Sequence, residues 1–115
     1  MHELSIAMSI AAAVEEESAR LGAQAIDAVH VRVGELSGVV VDALQFSYSL
    51  AIADTPLEGS KLVIENVPVL VMCPTCDAER PVVSIQQMCC ADCGTPSGAI
   101  VQGRELLVTA LEIRS

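Results

Sequence analysis

The sequence predicts an α+β domain, two helices packed on a small β-sheet, with a cysteine-bearing ribbon-like module inserted before the last strand. Three observations carry this prediction. Apolar residues recur at helical spacing in two separate stretches, and three other stretches read as strands. All five cysteines fall between positions 72 and 103, a segment whose texture differs from both flanks. A length of 115 residues suits one domain, or one domain with a small module. Hydrophobic residues make up 52%, which excludes disorder. With one Phe, one Tyr and no Trp, however, the core is aliphatic and small, and a staple would help it.

Residues 3–21 are rich in Ala, Leu, Met and Glu, and Gly22 stands where a helix cap belongs. Ile6, Ile10, Ala13, Val14 and Leu21 form the expected buried stripe, while Glu16 and Arg20 can pair four residues apart outside it. Arg20 also suits the negative end of the helix. Val29, Val31 and Val33 then alternate with Ala28, His30 and Arg32, the period of a strand with one buried face. Gly34 and Gly38 bracket the loop GELSG, read as a turn between strand and helix. A second helix is expected over about 41–53, with Leu44, Tyr48 and Ala51 on one face and Thr55, Pro56 and Gly59 closing it. KLVIENV (61–67) forms a second strand, and LLVTALEI (106–113) returns to strand character after the cysteines. Both helices are expected on one face of the sheet. The chain thus divides into an α+β domain (1–69 plus 104–115) and an inserted module (70–103).

Residues 4–14 (LSIAMSIAAAV) resemble the apolar stretch of a secretory leader. But His2 and Glu3 stand where a basic region belongs, and Glu15, Glu16 and Glu17 follow. Eleven residues are also too few to span a bilayer. A cytoplasmic protein without membrane insertion is expected, so the cysteines read as metal ligands rather than disulfides. Six Lys+Arg against 15 Asp+Glu give a net charge of −9, which argues against nucleic acid as a partner.

Cys73-Pro74-Thr75-Cys76 and Cys90-Ala91-Asp92-Cys93 are two C-x2-C units separated by thirteen residues. Each can bend into a knuckle that aims two thiolates at one point, and two knuckles complete the tetrahedral four-sulfur site that Zn(II) favours. A lone CPTC could be a redox pair, but two such units with no βαβ crossover argue otherwise. Four thiolates close the coordination shell, so the zinc is structural. Cys89 precedes Cys90 directly; using it would give C-x3-C, a poorer bite, so it either exchanges with Cys90 or packs as a small hydrophobe.

The amino terminus carries a second donor set. The α-amine of Met1 and the amide nitrogen of His2 can close a five-membered chelate ring, and that amide and the His2 imidazole a six-membered one. With a fourth donor from the Glu3 amide or carboxylate, the set suits square-planar Ni(II) or Cu(II). A helix starting here leaves its first N–H groups without intrahelical partners, and its positive end makes the amine easier to deprotonate. An idle surface histidine is the plainer alternative. His30 is expected to be solvated, beside Arg32 on the polar face of its strand. No Ser–His–Asp order, phosphate-binding loop or G-x-S-x-G occurs, so a hydrolytic or redox active site is not expected.

The start MHELSI, the stretch VRVGELSGV, the segment EGSKLVIENVP, the paired C-x2-C units and the ending ELLVTALEI together resemble the HypA/HybF nickel metallochaperones of [NiFe]-hydrogenase maturation. The resemblance runs nearly end to end. It implies nickel held by Met1, His2 and Glu3 and zinc held by Cys73, Cys76, Cys90 and Cys93. It implies a HypB-type GTPase and the hydrogenase large subunit as partners, with urease maturation proteins for some members, and no enzymatic activity. Two departures from the family pattern stand out. Asp77 replaces the glycine common after the first knuckle, and Cys89 is an additional thiol. A homodimer is left open. The competing function is a zinc-ribbon adaptor that bridges proteins and carries no transferable metal.

Overall fold

The computed structural model describes residues 2–23 and 25–114. Its elements run α1 (Glu3–Leu21), β1 (Ala25–Gly34), α2 (Val41–Ala51), β2 (Lys61–Val67), β3 (Leu70–Cys73), β4 (Ala78–Pro81), β5 (Ile100–Gln102) and β6 (Leu106–Arg114). The strands form two three-stranded sheets, β2-β1-β6 and β4-β3-β5. Strand β6 follows the cysteines in sequence yet joins the sheet of β1 and β2, so the cysteine segment is an excursion between two strands of one sheet. Among the described residues, no helix is long and apolar enough to cross a membrane. The chain divides into two compact units. One gathers the residues up to Arg32, Val39–Glu65 and the chain from Leu107 onward; the other comprises Val33–Gly38 and Asn66–Leu106.

In the first unit, α1 ends as the sequence predicts. Gly22 adopts a left-handed φ of 67°, and the N–H groups of Gly22 and Ala23 return to the carbonyls of Ala19 and Ser18, satisfying the last turn. The buried stripe differs from the expected one. Ala7, Ile10, Ala11 and Val14 are buried, Ile6 is half-buried, and Ala13 and Leu21 are exposed. The helix packs on α2, and small side chains at Ala7 and Ala11 permit a close approach that a stripe of large residues would prevent. Arg20 pairs with Glu17 one turn back, not with Glu16. Helix α2 stops at Ala51, two residues early, and the chain leaves through a turn in which the Thr55 hydroxyl donates to the Ile52 carbonyl. Leu44 and Tyr48 are buried as expected, but Ser47 joins them and Ala51 is half-buried. His30 is not merely solvated: its Nε2 lies 2.5 Å from Glu112 Oε2 on β6.

In the second unit, β3 and β4 form an antiparallel hairpin that sets Cys73 opposite Ala78 and Val71 opposite Arg80, and β5 pairs with the other edge of β3. The GELSG loop is more than a turn. Gly34 N–H donates to the Glu105 carbonyl (2.7 Å), Glu35 N–H to Val67 (3.0 Å) and Leu36 N–H to Gly103 (2.7 Å). The Glu35 carboxylate accepts the Val69 N–H at 2.9 Å. The loop thereby grips the chain on its way into the cysteine module and on its way out.

Candidate metal centres

The hairpin β3–β4 carries the first knuckle at its tip. The Cys76 N–H points at Cys73 Sγ (3.3 Å), and the Asp77 N–H closes the turn on the Cys73 carbonyl (2.8 Å). The second knuckle repeats the device, with Gly94 N–H on the Cys90 carbonyl at 2.8 Å. Asp77 (φ 54°) and Gly94 (φ 79°) both adopt the left-handed conformation directly after the second cysteine. The departure at Asp77 therefore leaves the turn intact, because aspartate tolerates this region better than most residues.

The Sγ atoms of Cys73, Cys76, Cys90 and Cys93 all lie within 4.8 Å of one another. Cys73 and Cys93 are 3.5 Å apart, and Cys76 and Cys90 are 3.9 Å apart. A tetrahedron with zinc–sulfur bonds of about 2.3 Å has edges of about 3.8 Å, so the donor set fits that ion. Cys73 and Cys90 are buried, Cys76 is half-buried and Cys93 is exposed. Cys89 stands outside the group: its backbone joins a bridge to Pro96, while Cys90 supplies the sulfur. Among the described residues, this is the one cluster of three or more metal-ligating side chains.

The four thiols are not equivalent. Hydrogen bonds from the Thr95 hydroxyl (3.1 Å) and the Thr95 backbone hold the Cys93 thiol down at about 6. Cys76 is pushed up to about 12, first by its hydrogen bond with Cys93 and then by burial. Cys93 thus ionises well before Cys76, which must lose its proton against the charge of Cys93.

The terminal donor set is only partly on view. Met1 lies outside the described residues. His2 is exposed and caps α1, its carbonyl accepting the Ile6 N–H at 3.0 Å. Glu3 is buried at 5% exposure, and its Oε2 accepts the Val40 N–H at 3.2 Å, at the start of α2. The side chain offered as a nickel ligand therefore ties the first turns of two helices together. The hydrogen bond from Val40, and then that from its own backbone, hold the Glu3 carboxyl below its ordinary 4.5. Such a group contributes stability above its unfolded value and loses it as pH falls through the lowered folded value. Glu3→Gln keeps an acceptor oxygen but loses the charge. It should flatten the acid limb of a stability profile measured by urea unfolding between about pH 3 and pH 6. An unchanged acid limb would show that the tie carries no charge-dependent stability.

Residues around the sulfurs were not foreseen from the sequence. Arg80 on β4 lies 3.0 Å from Asp92, inside the second knuckle, and the hydroxyl oxygens of Thr75 and Thr95 lie 2.8 Å apart. Only the placement of Thr75 and Asp92 within the C-x2-C units hinted at such roles.

The family model described as "Hydrogenase/urease nickel incorporation, metallochaperone, hypA" matches residues 1–113. The chain is 49% identical over 112 residues to a hydrogenase maturation factor HypA from Chloroflexus aurantiacus, covering 97% of this chain and 98% of that protein. It is 41% identical to one from Solidesulfovibrio magneticus, covering 98% of this chain and 99% of that one. The solution structure of the Ni metallochaperone HypA from Helicobacter pylori shares the fold, with a TM-score of 0.68, 24% identity, and coverage of 100% of this chain and 99% of that one. From end to end, this chain belongs to the HypA family.

Proposed function

We propose that the chain is a nickel carrier that binds Ni(II) at its amino terminus and passes it to apo-[NiFe]-hydrogenase during maturation. The Met1 amine, the amide and imidazole of His2, and Glu3 hold the ion. With its carboxylate committed to Val40, Glu3 contributes through its backbone nitrogen. Cys73, Cys76, Cys90 and Cys93 hold a structural zinc. The α+β domain (1–69 plus 104–115) handles nickel and the module (70–103) handles zinc. A HypB-type GTPase and the hydrogenase large subunit are the partners, with urease maturation proteins a second destination, in the cytoplasm and without catalysis by this chain.

The observation that carries the proposal is family membership over 1–113, which includes the terminal His-Glu pair. The exposure of His2 supports it, because a transferable ion must lie where donor and acceptor can reach it. Metal analysis tests it. A carrier binds nickel in addition to zinc, whereas a zinc-ribbon adaptor binds zinc alone.

A further inference from the structure

Four thiolates on a divalent ion form a net negative centre, and groups that hold and orient the thiolates govern how firmly the ion stays. Arg80 occupies such a place. It sits opposite Val71 in the β3–β4 hairpin, which carries the first knuckle. Its Nε is sealed from solvent and lies 3.0 Å from Asp92 Oδ2, an ion pair rather than an aligned hydrogen bond. Asp92 stands between Cys90 and Cys93. The neighbouring Cys76 thiol and the charges of Asp92 and Cys90 hold the guanidinium more firmly protonated than usual. Arg80 is the one Lys or Arg between Cys76 and Cys93.

We propose that Arg80 is a positioning residue of the four-sulfur centre, strapping the two knuckles together through Asp92. It thereby slows release of the metal. An ordinary surface ion pair contributes little, because water screens both partners. Here Asp92 is exposed, but the Arg80 Nε atom is buried and the pair joins the hairpin that carries the first knuckle to the interior of the second. Arginine suits this place better than lysine, since its planar fork holds a carboxylate in a fixed orientation.

The inference rests on the reading of the cluster as Zn(Cys)4, and the test separates the two. Full-length wild type, Arg80→Gln, Arg80→Lys and Asp92→Asn are loaded with zinc and challenged with excess EDTA. Arg20→Gln, far along the chain in the other unit, is the control. Arg80→Gln should release zinc faster by about 10- to 100-fold, with Asp92→Asn and Arg80→Lys in between. The same proteins loaded with Co(II) supply a readout that a merely structural role would not move. Loss of the positive charge should shift the thiolate-to-cobalt absorption to longer wavelength in Arg80→Gln, and Arg80→Lys should restore most of it. Wild type that holds no sulfur-ligated metal would overturn the zinc reading and this proposal with it. Wild type that holds zinc, with Arg80→Gln releasing it no faster than Arg20→Gln or with an unshifted cobalt band, would overturn the proposal alone. If Arg80→Gln does not fold, zinc release unchanged from wild type in both Arg80→Lys and Asp92→Asn would do the same.

Discussion

Cys73→Ser is expected to leave the chain without zinc and to unfold the unit made of Val33–Gly38 and Asn66–Leu106. Cys73 is fully buried, its sulfur lies 3.5 Å from that of Cys93, and it accepts the N–H of Cys76. No other group can take its place at the centre of the first knuckle. The apolar material of this unit is thin: Val33, Val67, Val69 and Val71 are its buried aliphatic side chains. Structural zinc in small modules supplies roughly 10–16 kcal/mol of apparent binding free energy, at least as much as these valines supply together at about 1.5–3 kcal/mol each. Zinc content per chain and protease sensitivity of residues 66–106 measure the outcome. Cys89→Ser should leave both near wild type, and equal zinc loss there would mean that the ligand register is wrong.

Gly34→Ala should be the most damaging of the glycine-to-alanine changes. A Cβ at Gly34 would lie 2.1 Å from the Gly103 carbonyl oxygen and 2.7 Å from the Arg104 nitrogen. Both are backbone atoms, so no rotamer change relieves the clash. Moving them would break the bonds by which Gly34 and Leu36 grip Glu105 and Gly103. A loss of roughly 3 kcal/mol or more is expected, at or beyond the upper end for overpacking. Gly38→Ala, also on this loop, meets no atom within 4 Å and suffers only from its φ of 81°. Urea unfolding of the two variants separates steric collision from backbone strain. Equal, small losses would contradict the close approach.

Long periodic elements were legible in the sequence. The bounds of α1 and β2 follow from apolar spacing, Gly22 and the alternating run at 61–67, and the paired C-x2-C units foretold the sulfur cluster. What escaped notice depends on distant partners. Ala7 and Ala11 carry no stronger apolar signal than Ala13, and only the presence of α2 decides which of them is buried. Gly34 and Glu35 looked like turn residues because the segments they clamp lie more than thirty positions away. Glu3 reads equally well as a ligand or a tie until Val40 is placed beside it. His30 and Glu112 are 82 residues apart, and no local pattern announces such a pair.

The central claim, that nickel sits at the very start of the chain, has one direct test. Untagged protein, protein extended before Met1 by a short tag, and His2→Ala are titrated side by side with Ni(II). Extension turns the terminal amine into an amide, and His2→Ala removes the imidazole and its chelate ring. His2 is exposed, so His2→Ala removes no buried side chain, and zinc content and fold should stay near wild type. His2→Gln should behave like His2→Ala. Nickel affinity is expected to fall on extension and again, further, in His2→Ala. Equal nickel affinity in all three proteins would contradict the terminal site and leave a zinc-bearing adaptor as the function of the fold.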